Sequence, residues 1–181
     1  STEDILHAAE QVPAMDVYVL PNNKNIVMAA EQAARLARTS GVRRIHVVPT
    51  TTIPQGISAM MAYDESAEIK DNVEAMQEAA SRVQSGSVTF AARDSDYDGH
   101  QIKEGELLAL ENGKVAFTGT DLGSVTAKVA KDLMQEDSQF ITLLYGANVS
   151  EEQAADVEEA VRSLLPEEVE LTVAYGGQPV Y

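Results

Sequence analysis

A strand–helix–strand pattern occurs twice in this sequence and constrains its fold more than any other feature. In the first copy, Asp16–Leu20 and Arg44–Val48 are strand-like apolar runs, which end at Pro21 and Pro49. Apolar residues recur at helical spacing between the two runs, and Gly41 follows them at the usual position after a helix C-terminus. A unit of roughly 30 residues with this order predicts a parallel strand pair joined by a right-handed crossover.

The second copy has the same order of elements at comparable lengths. Phe140–Tyr145 is predicted to be a buried strand, and Val169–Tyr175 is predicted to be the strand that follows it. Ser150 with Gln153 fits the capping-box pattern that opens a helix, and Pro166 ends that helix. The repeat therefore predicts two related small lobes.

The region between the two copies predicts a different element. Asn112-Gly113 lies between two short apolar stretches, which is the strongest short signal for a β-hairpin. The predicted fold class is therefore α/β, with two related lobes built on βαβ units, mainly parallel sheets and a hairpin insertion. The predicted division places the first lobe with the hairpin at residues 16–120 and the second lobe at residues 121–181.

The charge of the chain excludes several classes of partner. The sequence has 13 Lys and Arg residues against 29 Asp and Glu residues, for a net charge of −16. Residues 1–50 hold five of each kind, so the whole excess lies after residue 50. Nucleic acids and anionic lipids are bound mainly through their phosphates, which this charge repels. No apolar run approaches the roughly 20 residues of a membrane span, and the expected location is the cytoplasm.

The densest acidic stretch, residues 150–170, contains eight acids and only Arg162 as a base. One interpretation is a solvated helix face that aids solubility. The other is a docking face for a basic partner. The residues of that candidate face are Glu151, Glu152, Asp156, Glu158 and Glu159.

The motifs searched for catalysis and metal binding do not point to a site. Residues 94–99 match the opening of a calcium-binding EF-hand loop, but Gly105 stands where the loop needs a bidentate acid. The sequence contains no cysteine, no phosphate-binding glycine loop and no nucleophile elbow. His46 alternates within a predicted strand and is expected to be structural. No catalytic residue and no metal ligand is predicted.

The polar loops at the carboxyl ends of the predicted strands form the candidate ligand or partner rim, because ligands of open α/β sheets bind there. The alternative for the threonine-rich loop is a turn that caps a short helix predicted over Ile57–Tyr63. The rim residues are Thr50, Thr51, Thr52, Gln55, Gly56, Tyr145, Gly146, Asn148, Gly176, Gly177 and Gln178.

Four segments resemble one known family: HVVPTTTIPQGISAMMAYDES, VTFAARDS, ITLLYGANVSEEQA and VELTVAYGGQPVY. They are similar to the C-terminal domain of the ATP-binding subunit of bacterial fatty-acid kinase, a dihydroxyacetone-kinase-like protein. The segments P-T-x-x-I-P-Q-G and Y-G-G-Q-P are the most specific. The resemblance covers nearly all of residues 16–181, and it implies that residues 1–15 are a linker from a preceding domain and that the last strand is incomplete.

The resemblance also implies a function. ATP and magnesium are expected only in a separate kinase domain, so the resemblance implies that this chain has no cofactor and no catalytic role of its own. Its expected partners are a DegV-like fatty-acid carrier, whose acyl carboxylate is phosphorylated, and the other domains of the same subunit. The repeated lobes are compatible with a distantly DegV-like fold. The carrier's head-group motifs have no clear match here. The alternatives are a small-molecule or lipid-binding domain and a structural or dimerisation module.

Overall fold

The computed structural model describes residues 1–97 and 99–180, and the chain divides into two compact units, Ser1–Val83 and Gln84–Tyr181. The first unit contains α1 (Thr2–Gln11), β1 (Asp16–Val19), α2 (Lys24–Ser40), β2 (Arg44–Val47), α3 (Ile53–Met61) and α4 (Ile69–Ser81). The second unit contains β3 (Gly86–Phe90), β4 (Ser95–Tyr97), β5 (His100–Ile102), β6 (Leu107–Glu111), β7 (Lys114–Gly119), α5 (Leu122–Leu133), β8 (Phe140–Tyr145), α6 (Glu151–Leu164) and β9 (Glu170–Tyr175).

The first βαβ unit is present as predicted. Strands β1 and β2 pair in parallel, with Val17 opposite Ile45 and Tyr18 opposite His46. Val17 and Ile45 pack against helices α1 and α2 in a core rich in alanine. Tyr18 points to the opposite face because successive strand residues alternate, and there it packs against a second core from α3 and α4.

The ends of α2 follow from its flanking residues. The Asn23 side chain accepts a hydrogen bond from the backbone N–H of Asn25 at 2.9 Å, which satisfies one of the free donors of the first turn. Gly41 ends the helix in the left-handed conformation at φ 70°. Gly41 therefore ends the helix at the position that the sequence predicts.

The second unit combines an antiparallel sheet with another βαβ unit. Strands pair in the order β3–β6–β7, and the predicted hairpin turns at Asn112 and Gly113, both at positive φ. Helix α5 packs on this sheet through Val125 and Val129. Strands β8 and β9 pair in parallel over six residues, joined by α6, so the repeated pattern is confirmed.

Three features differ from the sequence predictions. Among the described residues, the β1–β2 and β8–β9 sheets are parallel and the β3–β6–β7 and β4–β5 sheets are antiparallel, so parallel sheets are not the majority. The units divide at 83/84 rather than at 120/121, because the hairpin sheet packs on α5 of the second unit.

The third difference concerns residues 1–15, which were expected to be a linker. Residues Thr2–Gln11 form helix α1, which Ser1 and Asp4 cap reciprocally. Ile5, Leu6 and Ala9 pack into the core of the first unit. This amphipathic spacing buries apolar surface, which explains why the segment folds against its neighbours.

Candidate functional site

The threonine loop after β2 uses its hydroxyl groups within the loop. Thr50 is almost fully buried, and its hydroxyl donates to the carbonyl oxygen of Pro21 at 2.6 Å. This hydrogen bond joins the loops that follow β1 and β2. A buried hydroxyl with a short internal partner stabilises the loop, so Thr50 acts as a structural residue.

Thr51 and Thr52 form the start of helix α3. The Gln55 side-chain oxygen accepts from the backbone N–H of Thr51 at 2.8 Å and from its hydroxyl at 3.1 Å. The Thr52 hydroxyl accepts from the backbone N–H of Gln55 at 3.2 Å, which makes Thr52 the N-cap. The helix begins at Ile53, four residues before the predicted start, because Thr52 caps it and Pro54 suits its first turn.

A cleft of about 260 Å³ lies beside this loop. Drug-sized ligands occupy pockets of roughly 300–1,000 Å³, so the cleft is small for such a ligand. Its lining residues come from the threonine loop and helix α4: Val48, Pro49, Thr50, Thr51, Gln55, Gln77, Ala80 and Ser81.

A polar cluster on the β1–β2 sheet was missed by the sequence analysis. Arg44 donates two hydrogen bonds to the Asp16 carboxylate, at 2.7 and 2.8 Å, and His46 Nε2 lies 2.9 Å from Asp16 Oδ1. The Tyr18 ring contacts the rings of His46 and Tyr63, with centroids 5.6 and 5.5 Å away. The signal was the alternation of polar residues in two strands, which becomes a cluster only once their register is known.

The Asp16 cluster is electrostatically strong. The hydrogen bonds from Arg44, followed by the one from His46, hold the pKa of the Asp16 carboxyl well below its ordinary value. The same interaction raises the pKa of Arg44. Asp16 and Arg44 therefore stay ionised over a wide pH range, and Asp16 gives His46 a structural partner.

The rim residues of the second unit are brought together at the carboxyl ends of β8 and β9. The N–H of Gly176 donates to the carbonyl of Tyr145 at 2.9 Å, and Asn148 Nδ2 donates to the carbonyl of Pro179 at 3.1 Å. The backbone carbonyl of Gln178 accepts from the N–H of Ala147 at 2.8 Å. These bonds hold the two loops against each other.

The Gln178 side chain lies close to the backbone of Gly176. Its side-chain nitrogen donates to the carbonyl of Leu144 at 2.9 Å, and a Cβ at Gly176 would collide with the Gln178 carboxamide. The Gln178 Oε1 atom is buried, and no donor reaches it from the described residues. The tight approach accounts for Gly176, and the left-handed φ of 72° accounts for Gly177.

The acidic face predicted on α6 is exposed, apart from Glu158, which is half-buried. Within the described part of the chain, none of its five acids forms an ion pair. Arg162 donates to the backbone carbonyls of Val169 and Leu171, at 3.0 and 3.4 Å. The carboxylates of this face are therefore free to act through long-range electrostatics.

The structure places the predicted rim residues in two groups. The first group lies in the first unit and consists of Thr50, Thr51, Thr52, Gln55 and Gly56. Each group is connected by hydrogen bonds within its own unit. The six residues around β8 and β9 lie in the second unit. A single rim shared by both groups stays a prediction.

Comparison with known proteins decides the family. Residues 1–181 match the family of C-terminal regions of FakA-like fatty acid kinase subunits. The chain belongs to this family. It is 39% identical over its whole length to protein YloV of Bacillus subtilis and 40% identical to an uncharacterized protein of Staphylococcus haemolyticus. In both cases the chain spans only 32% of the relative's length.

Solved structures show a DegV-like fold for this family member. The DegV family protein Cg2579 from Corynebacterium glutamicum aligns with a TM-score of 0.65, over 97% of this chain and 75% of that protein. The hypothetical protein TM841 from Thermotoga maritima, described as having a fatty acid binding function, aligns with a TM-score of 0.57 over 97% and 68%. Sequence identity is 15% in each case, so the likeness is one of fold.

Membrane spans and metal clusters are both absent from the described residues. Among residues 1–97 and 99–180, no helix is long and apolar enough to cross a membrane. Over the same residues, no three side chains of the metal-binding types converge. Asp98, which belongs to the EF-hand-like stretch, lies outside the described residues, as does Tyr181. Ser95–Tyr97 of that stretch form β4, which pairs with β5 in antiparallel orientation.

Proposed function

We propose that this chain is a non-catalytic domain that docks a DegV-like fatty-acid carrier for phosphorylation of the carrier's acyl carboxylate by another part of the same subunit. The observation that supports it most is the match of all 181 residues to the C-terminal family of FakA-like fatty acid kinase subunits. ATP and magnesium belong, in this proposal, to a part of the protein outside this chain. The proposed location is the cytoplasm.

The geometry of the candidate site favours docking over direct lipid binding. The Thr50 and Thr51 hydroxyls are hydrogen-bonded within the loop, at 2.6 and 3.1 Å, and Thr52 caps α3. A fatty-acid carboxylate would have to compete with these internal partners for its donors. The adjacent cleft, at about 260 Å³, also lies below the roughly 300–1,000 Å³ of pockets that enclose drug-sized ligands.

The decisive experiment measures binding between this chain and a DegV-like carrier encoded in the same genome. Surface plasmon resonance at about 50 and 500 mM salt should show binding that weakens as salt rises, because a −16 chain attracts a basic surface electrostatically. Native mass spectrometry of this chain should show no copurified fatty acid. Absence of carrier binding at both salt concentrations would refute the proposal, and a stoichiometric lipid adduct would favour the lipid-binding alternative.

A further inference from the structure

Helix α3 presents an apolar face that the rest of the chain leaves exposed. Ile53, Ile57, Met60 and Met61 are 42%, 44%, 64% and 83% exposed. Their spacing of four, three and one residues places them on one side of a helix, whereas Ala59 on the opposite side is fully buried. We call these four exposed residues the α3 face.

The α3 face belongs to a helix that is firmly anchored. Its N-terminus is capped by Thr52, and its buried side packs with Met76 and Ala80 of α4. Asn72 of α4 fixes the loop that connects the two helices. Its side chain accepts a hydrogen bond from the backbone N–H of Asp64 at 2.9 Å and donates one to the Asp64 carbonyl at 2.7 Å. The exposed apolar side chains therefore lie on a fixed support, which lowers the entropy cost of binding.

The charges along the chain around the α3 face are mainly acidic. Residues 51–83 hold two bases, Lys70 and Arg82, and Arg82 forms an ion pair with Glu78 at 2.8 Å. The acids of this stretch are Asp64, Glu65, Glu68, Asp71, Glu74 and Glu78. An apolar face whose surround along the chain is mainly acidic is complementary to an apolar patch surrounded by lysine and arginine.

We propose that the α3 face docks an apolar, basic-rimmed patch on a protein partner, and this rests on the proposed function in taking that partner to be the DegV-like carrier. A second copy of the chain would bring the same acidic surround and a second charge of −16 against it. An anionic membrane would be repelled for the same reason, since interfacial helices use basic residues at their polar edge. Methionine side chains adapt to an irregular partner surface, which suits a carrier patch.

The test replaces the two most exposed residues of the α3 face by Met60→Gln with Met61→Gln, which removes apolar surface without adding charge. The matched control is Met15→Gln with Met28→Gln, since these methionines are 50% and 74% exposed elsewhere in the first unit. Binding to the carrier is measured by surface plasmon resonance, and folding by the thermal midpoint. We expect at least about a tenfold rise in Kd for the α3 pair and less than about a twofold change for the control pair.

The outcomes separate this inference from the proposed function. If the unaltered chain binds the carrier and the α3 pair binds it equally well with an unchanged midpoint, the α3 face is not the docking site, although the proposed function stands. If the unaltered chain does not bind the carrier, the proposed function fails first. Sedimentation that shows a dimer lost only in the α3 pair would assign the face to a second copy and overturn the choice of partner.

Discussion

At the residue scale, Asp16 connects the two strands of the first parallel pair. It stands opposite Arg44 in the register and accepts two hydrogen bonds from its guanidinium group, with a third contact from His46. Bidentate arginine–carboxylate pairs are stronger and more directional than simple surface ion pairs. The cluster therefore helps to set the register of β1 against β2, alongside the apolar residues on the opposite face.

Replacing Asp16→Asn should lower the thermal midpoint at pH 7, because Arg44 and His46 lose a charged partner. The pKa of Asp16 is lowered in the folded chain, mainly by Arg44. Its contribution is therefore present above the ordinary carboxyl pKa and is lost as pH falls through the lowered value. The midpoints of the two proteins should converge only in strong acid. Asp156→Asn, an exposed acid of α6, is the control and should change little.

Glu111 shows the opposite shift. Burial raises the pKa of its carboxyl, and a hydrogen bond with Asp132 adds to the effect. Lys128 donates to Asp132 at 2.8 Å, which lowers the pKa of Asp132 and keeps the charge on that partner. The Oε1 atom of Glu111 is buried without a hydrogen-bond partner in the described part of the chain. The Glu111–Asp132 pair is therefore most stable when Glu111 is protonated and Asp132 is ionised.

The change Glu111→Gln should stabilise the chain at pH 7 by up to about 1 kcal/mol, because the neutral amide has no charge to desolvate. The raised pKa of Glu111 means that the protonated side chain stabilises the folded chain. This stabilisation is present below the ordinary carboxyl pKa and is lost as pH rises through the raised value. The gain should thus vanish near pH 4. Chemical denaturation at pH 7 and near pH 4 measures the change in the free energy of unfolding, with Glu104→Gln as the control. An equal gain at both pH values would contradict this explanation.

At the scale of elements, two glycines without positive φ have different roles. Gly56 lies inside α3, where an added Cβ would meet only the Leu20 Cβ, at an ordinary 4.0 Å. Gly86 begins β3, where an added Cβ would collide with Val129 and would lie 2.8 Å from Leu133 Cδ1. Both of these neighbours belong to α5, so Gly86 lets the sheet and the helix approach closely.

Alanine substitution should therefore have opposite effects at these positions. Gly56→Ala should stabilise the chain by about 0.5–1 kcal/mol, because alanine has the higher helix propensity. Gly86→Ala should destabilise it by about 1–3 kcal/mol, because α5 must shift away from the sheet. Chemical denaturation of the two variants provides the measurement, each serving as the control for the other. Equal effects would show that close packing at Gly86 is unimportant.

Element boundaries were predictable where a side chain acts on its own backbone. Gly41 ends α2, and the Asn112-Gly113 turn forms its hairpin, because both features follow from local preferences for positive φ. Helix α3 begins four residues before its predicted start because Thr52 caps it and Pro54 is compatible with its first turn. Residues 1–15 were expected to be a linker because of the family resemblance, and their helix escaped prediction because the burial of α1 depends on α2, which follows later in the chain.

At the scale of the whole molecule, charge is distributed unevenly between the two units. Residues 84–181 hold 18 acids and 6 bases, whereas residues 1–83 hold 11 acids and 7 bases. Helix α6 concentrates acids that have no ion-pair partner within the described residues. Such a field affects the rate of encounter with a charged partner more than the affinity of the final complex.

Reversal of two of these charges tests whether α6 steers the carrier. Glu158→Lys with Glu159→Lys should slow association with a basic carrier by about three- to tenfold at low salt and should flatten its salt dependence. The measurement is the association rate at several salt concentrations. Glu10→Lys with Glu31→Lys changes the net charge equally on exposed positions of the first unit. Equal slowing in both pairs would indicate net charge rather than an α6 face.

The candidate site was only partly predictable. Residues 145–148 and 176–178 were expected together because the ends of parallel strands meet at one sheet edge, and hydrogen bonds join them. The Asp16 cluster escaped prediction because its members are 28 and 30 positions apart. The α3 face was also missed, because exposure of an apolar helix face depends on what packs against it.

The sequence by itself determined the repeated βαβ pattern, the hairpin and the helix caps, because each depends on residue periodicity or on side chains next to the backbone they satisfy. Only the tertiary structure decided that Thr50 bonds to Pro21, that Asp16 bonds to Arg44 and His46, and that the units divide after Val83. These features depend on contacts between residues far apart in the chain. Local propensity does not encode such contacts, which form only when the elements pack.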